Sequence, residues 1–217
     1  AQAAGLSYEK IVLSPLSHAG YYPGGKLMTM KVLYEKGSQR LLGAQIVGHE
    51  GVDKRIDVLA TAMQAGLPVT ALKDLDLAYA PPYASAKDPV NLVGFMAENL
   101  EQGVVKQFHW EDVAGLPRDG SVTLLDARTP GEYSGGCAEG FVNVPLDELR
   151  DHLGEIAPGK PVYVMCQSGL RSYLACRILA QDGYDCYNFS GGYRFYESVL
   201  LDRWTRQNAY PCGVERP

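Results

Sequence analysis

With 217 residues, 46% hydrophobic and 21% charged, the chain has a globular composition and the length of one large domain or two small ones. A formal net charge of −5 argues against a nucleic-acid or anionic-membrane partner, and no apolar run approaches the ~20 residues of a transmembrane helix. The start, Ala1-Gln2-Ala3-Ala4-Gly5, has neither region of a secretory signal and no initiator Met, which is consistent with processing or with a piece of a longer protein. The five cysteines, Cys137, Cys166, Cys176, Cys186 and Cys212, are odd in number and contain no Cys-x-x-Cys pair. That is a poor disulfide framework and a poor zinc site, so no metal is expected, and reduced thiols in the cytoplasm are.

The chain divides near Glu101-Gln102-Gly103, giving residues 1–103 and 104–217 as two units. In the first, Lys10 to Leu13 predicts a short strand. A loop rich in Gly, Pro and Tyr follows over residues 17–25. Apolar runs at 27–34 and 41–47 flank Lys36-Gly37-Ser38-Gln39 and predict a β-hairpin. Residues 52–65 place Ile56, Leu59, Ala60 and Met63 at helical spacing, and Gly66 ends the run. A short helix is expected after Thr70, with Thr70 as its N-cap. A loop at 79–83 leads to a helix over 89–100, with Asp88 as N-cap and Pro89 in the first turn. This half reads as α+β with an antiparallel sheet.

The second unit alternates strands and helices. Strands are predicted at 122–125, 161–165 and 186–189. Helices are predicted at 130–133, 146–153, 172–181 and 193–200, the third with Leu174, Ile178 and Leu179 on one stripe and Gly183 as its cap. Such alternation implies an α/β domain, a mostly parallel sheet with helices on both faces.

Between the apolar strand ending at Met165 and the helix after it lies Cys166-Gln167-Ser168-Gly169-Leu170-Arg171-Ser172. A loop that opens onto a helix N-terminus gathers unpaired N–H groups, which favour an anion. Gly169 lets the backbone curl, and Arg171 adds a forked cation. A cysteine there has its anionic sulfur stabilised and becomes a nucleophile. The bland alternative is an inert cysteine ending a strand.

These residues resemble the active-site loop of the rhodanese family, Cys-x-x-Gly-x-Arg. The resemblance extends over residues 104–205 through Asp126-Ala127-Arg128…Glu132-Tyr133, Asn143-Val144-Pro145-Leu146 and Ser190-Gly191-Gly192. It implies that Cys166 takes a sulfane sulfur as a persulfide and passes it to a thiol acceptor, with Arg171 charging the pocket and Gln167, Ser168, Gly169, Leu170 and Ser172 forming the loop. Asp126 and Arg128 are expected to be a structural pair. A Cys-dependent phosphatase, whose signature has five residues between Cys and Arg where this chain has four, is the competing chemistry. The family's usual His is replaced by Cys137, which is either a neutral swap or a resolving thiol. Cys176 and Cys186 read as core, and Cys212 has no assigned role.

Residues 1–103 resemble the C-terminal dimerisation domain of pyridine nucleotide–disulfide oxidoreductases, in the coenzyme A-disulfide and persulfide reductase branch. The resemblance is carried by His18 to Gly24, Gly48 to Asp57, Ala78 to Tyr83 and Lys87-Asp88-Pro89. It implies a homodimer in which Tyr21 (or Tyr22) and Tyr79 reach the partner's disulfide site; packing of the loops is the alternative. Lys54 and Arg55 are expected either to meet an anionic substrate such as coenzyme A or to be a solvated helix start. No Gly-x-Gly-x-x-Gly follows a strand, so the parent's FAD and NAD(P)H domains are expected upstream of Ala1 and no cofactor is expected on this chain. The rival reading of the whole is a docking module with a rhodanese fold and no turnover.

Overall fold

The structure, a computed structural model, describes residues 1–208, with side chains to residue 204. Cys212 lies outside the described residues. Tyr8–Leu13 (β1), Met28–Glu35 (β2) and Leu41–Gly48 (β3) form an antiparallel sheet in the order β1-β2-β3. β2 alternates with a period of two: Met28, Met30, Val32 and Tyr34 are buried and their neighbours are not. Helices Val52–Gln64 (α1) and Pro89–Glu101 (α2) cover that face, with Leu59, Ala62, Val90, Val93 and Ala97 in one core with the strands.

The two helices are joined by a buried charge. Asp88 accepts from Val90 N at 3.0 Å and donates its own N–H to Asn91 Oδ1, capping α2 with Pro89 in the first turn, as predicted. Arg55 is only 1% exposed, which overturns both expectations for it. Its fork donates to Asp88 Oδ2 and to Ser17 O at 2.9 Å, to Gly51 O at 3.0 Å and to Tyr83 O at 3.2 Å. A guanidinium can be buried where acceptors fill its fork, and here it ties α1 to the cap of α2 and to two loops. Lys54 instead donates to Ala78 O.

Thr70 is not an N-cap. The turn of 3₁₀ helix runs Val69–Asp74 behind Pro68, whose ring sets the extended entry at φ −66°, and the Thr70 hydroxyl donates to Gln39 Oε1 at 2.6 Å.

In the second unit, Lys106–Phe108 (β4), Thr123–Asp126 (β5), Val142–Asn143 (β6), Val162–Met165 (β7) and Cys186–Phe189 (β8) make a parallel sheet in the order β4-β8-β7-β5-β6. Trp110–Val113 (α3), Pro130–Ser134 (α4), Leu170–Gln181 (α5) and Gly192–Asn208 (α6) complete it. Alternate strand residues serve opposite faces. Leu125, Val162 and Val164 pack with Ala175, Cys176 and Leu179 of α5, while Leu124, Met165 and Phe189 pack with Val113, Phe141 and Tyr193.

Two helix expectations change. Residues 146–153 form no α-helix. Glu148, Leu149, Asp151 and His152 each donate to the carbonyl three residues back, and Leu149 is the buried anchor, so tight turns lead into one 3₁₀ turn at Leu153–Glu155. Leu174 is 42% exposed, because the inward face of α5 carries Ser172, Ala175, Cys176, Ile178 and Leu179 instead. No described helix is long and apolar enough to cross a membrane.

Asp88→Ala removes both the cap and the partner of a buried cation. It is expected to cost about 3–5 kcal/mol in urea unfolding; a loss below about 1 kcal/mol would show that Arg55 does not depend on it.

Candidate functional site

β7 delivers Cys166 to the end of the parallel sheet, and α5 starts four residues later. Gly169, at φ 98°, is the residue before α5 and sits where an L side chain is strained. Its N–H points back to Cys166 Sγ at 3.2 Å, and Ser172 Oγ lies 3.2 Å from the same sulfur and 3.2 Å from Gly169 O. Cys166 itself is fully buried beneath the loop. The sulfur therefore has two hydrogen-bond donors in reach.

The loop is backed by the turn after β8. Tyr193 N donates to Cys166 O at 2.7 Å and Arg194 N to Gln167 O at 3.2 Å. Gly192, at φ 73°, lies so close that a Cβ there would sit 2.5 Å from Ser168 N.

Arg171 does not stand free in the pocket. Its Nη1 and Nη2 each meet a Glu132 carboxylate oxygen at 2.7 Å. Glu132 is also bonded by the N–H and hydroxyl of Thr129, and Thr129 and Glu132 form the capping box of α4. The Arg171 guanidinium, with Thr129 adding to it, holds the Glu132 carboxyl at about 2. Thr129-x-x-Glu132 ahead of a Pro helix start carried a legible signal for this residue.

Asp126 and Arg128 are the buried pair that was expected, with Arg128 Nη2 at 2.7 Å from Asp126 Oδ2. Arg128 does more than pair. It donates to Gly136 O at 2.7 Å, reaches Gln167 Oε1 at 3.3 Å and stacks 4.1 Å over the Tyr193 ring, binding the loop's surroundings together.

Of the other thiols, Cys176 is buried and Cys186 is half-buried with its thiol on Cys176 O, both in the core cluster. Cys137 is exposed beside Tyr133, whose phenol is pushed up by burial and by the Cys137 hydrogen bond. Far along the chain from the sulfur loop, the Tyr21 and Tyr79 hydroxyls meet at 2.7 Å, and both side chains are exposed. Tyr22 turns edge-on to His18 instead. Among the described residues, no group of three His, Cys, Asp or Glu side chains gathers that could hold a metal ion.

A cleft of about 600 Å³ separates the two units next to the loop. Leu16, Phe95 and Met96 line one wall, and Ser168, Leu170 and Arg194 the other.

Two family models match the chain: the pyridine nucleotide-disulphide oxidoreductase dimerisation domain over residues 1–89 and the rhodanese-like domain over residues 109–198. Coenzyme A disulfide reductase of Staphylococcus haemolyticus is 44% identical over 93 residues, 43% of this chain and 21% of that protein. Reduced CoADR-RHD of Bacillus anthracis superposes with a TM-score of 0.89 at 44% identity, covering 93% of this chain and 36% of the other. An NAD-dependent persulfide reductase from A. fulgidus gives 0.80 at 39% identity, covering 89% and 35%. The chain thus spans about a fifth of the curated relative and about a third of the two structural ones.

Because the Glu132 carboxyl is held near 2, below its ordinary 4.5, its pairing stabilises the fold above about pH 4.5 and is lost as pH falls toward 2. The thermal midpoint of the wild type should therefore drop more steeply through that interval than that of Glu132→Gln. Parallel curves would mean that the pair contributes nothing.

Proposed function

We propose that this chain, a pyridine nucleotide-disulphide oxidoreductase dimerisation domain joined to a rhodanese-like domain, is the sulfur-handling part of a coenzyme A disulfide or persulfide reductase. We place the boundary between residues 103 and 104. The observation that carries the reading is the Cys166 sulfur held 3.2 Å from the Gly169 N–H and 3.2 Å from the Ser172 hydroxyl.

The chemistry is sulfur transfer in two displacements. The Cys166 thiolate attacks the outer sulfur of a sulfane donor. With thiosulfate, an S–S bond forms on Cys166 as the donor's S–S bond breaks and sulfite leaves with the electron pair. The persulfide's terminal sulfur carries the negative charge, and the same donors that face the cysteine sulfur stabilise it. An acceptor thiolate, for which we propose coenzyme A, then attacks that terminal sulfur and Cys166 leaves as thiolate. Cys166 is the catalytic residue. Gln167, Ser168, Gly169, Leu170 and Ser172 form its loop, and Arg171 acts through the Glu132 pair that fixes the loop's far end.

The reductase half of the reaction uses FAD and NAD(P)H, which supply hydride transfer when bound on domains other than these two. The exposed Tyr21 and Tyr79 pair is this chain's contribution: joined phenols on a dimerisation domain, able to donate a hydrogen bond across a homodimer to a disulfide site. We place the protein in the cytoplasm, where a reduced Cys166 thiol persists. Phosphatase chemistry is disfavoured, since Glu132 occupies the Arg171 fork that a phosphate would need, with a carboxylate that would repel it.

Transfer of sulfur from thiosulfate to cyanide, followed as thiocyanate, is the test. Cys166→Ala should fall to background and Cys137→Ala should keep its rate. Ser172→Ala should lose about a hundredfold, the scale of one lost oxyanion donor. Full turnover in Cys166→Ala would remove the proposal.

A further inference from the structure

β1 is an edge strand, so alternate residues turn their N–H and C=O groups away from β2. At Lys10 and Val12 those groups meet the rhodanese-like domain. Gln107 donates to Lys10 O at 2.7 Å. Ser190 Oγ accepts from Val12 N at 3.0 Å and donates to Val12 O at 3.3 Å. Val12 is 3% exposed and Ser190 1%, so this contact is sealed from water and cannot be replaced by solvent when it is lost.

The turn that starts at Ser190 also supports the sulfur loop. A Cβ on Gly191 would sit 2.9 Å from Val12 Cγ1, so backbone packs directly against that side chain. One residue on, Gly192 lies against Gln167 and Ser168, and Tyr193 and Arg194 donate to the carbonyls of Cys166 and Gln167. Val12, Ser190, the glycine turn and the Cys166 loop form one unbroken path.

We infer that Ser190, packed on Val12, is a positioning residue of the sulfur-transfer site: it anchors the turn behind Cys166 to the edge of the other domain's sheet. The aim of the Gly169 and Ser172 donors then depends on a domain that supplies neither of them. Misplacement of a reacting group by about 1 Å lowers rates by up to roughly a hundredfold, so a loosened anchor is read as a slower chemical step rather than as weaker binding.

This inference rests on the sulfurtransferase reading, and one experiment separates their failures. The full chain is mixed rapidly with a low-molecular-weight persulfide, and sulfur uptake on Cys166 is followed by quenched-flow mass measurement over a range of donor concentrations. No uptake by the wild type overturns both. Ser190→Ala should lower the saturating rate constant about tenfold with the half-saturating donor concentration within about twofold. Ser190→Thr, which keeps the hydroxyl, should restore most of the rate. Gln107→Ala, which loosens the same edge away from the loop, should leave it unchanged. A wild-type rate in Ser190→Ala, or an equal loss in Gln107→Ala, overturns the inference while leaving the sulfurtransferase reading in place. If Ser190→Ala does not fold, Val12→Ala opens the packing against Gly191 and spares the backbone pair. A rate within about twofold of wild type there overturns it as well.

Discussion

The sulfur site depends on one backbone conformation, Gly169 at φ 98°. That conformation turns the chain into α5, whose third residue, Ser172, brings its hydroxyl back to 3.2 Å from the sulfur that the Gly169 N–H already faces. The carbonyls of Cys166 and Gln167 are drawn the other way, onto the Tyr193 and Arg194 N–H groups. Those amides belong to the first turn of α6, which has no intrahelical partners for them. Two needs are thus met together: α6 has its first amides satisfied, and the loop's acceptors are kept away from the Cys166 sulfur. A side chain at Gly169 would strain the turn, and one at Gly192 would collide with the loop backbone.

Two of the three cations around the loop are matched by carboxylates, and the third, Arg194, lines the cleft beside Ser168 and Leu170. Arg128 is held by Asp126, and Arg171 by Glu132. The contacts on the sulfur itself are short-range donors, the Gly169 N–H and the Ser172 hydroxyl at 3.2 Å each. That suits a persulfide, a single small anion, better than a phosphate dianion, which asks for an open guanidinium fork.

How much was legible in the sequence follows from the range of each interaction. The alternation in β2, the Asp88 cap and the Cys166 to Arg171 spacing are local patterns, and they predicted the two sheets, α2 and the loop. Arg55 was misread because a cation on a helix looks solvated until Ser17, Tyr83 and Asp88, from three different segments, close on its fork. β4 and β6, with three and two residues, are too short to carry a pattern. Residues 146–153 have helical apolar spacing, yet Leu149 alone provides a fully buried anchor, and the turns tightened around it. Ser190 had no signal, since a serine before two glycines reads as a turn and its partner is 178 positions away. The spacing of the loop points to Arg171, but the carboxylate that meets its fork belongs to another helix start, that of α4.

The central claim is that, of the thiols, the buried Cys166 takes the sulfur. The most direct test is to treat the whole chain with thiosulfate, and separately with a small persulfide, and then to record the intact mass and map the added sulfur by peptide. The account predicts one extra sulfur on Cys166, removable by cyanide and missing in Cys166→Ala. No added sulfur from either donor, or sulfur on the exposed Cys137 instead, would contradict it.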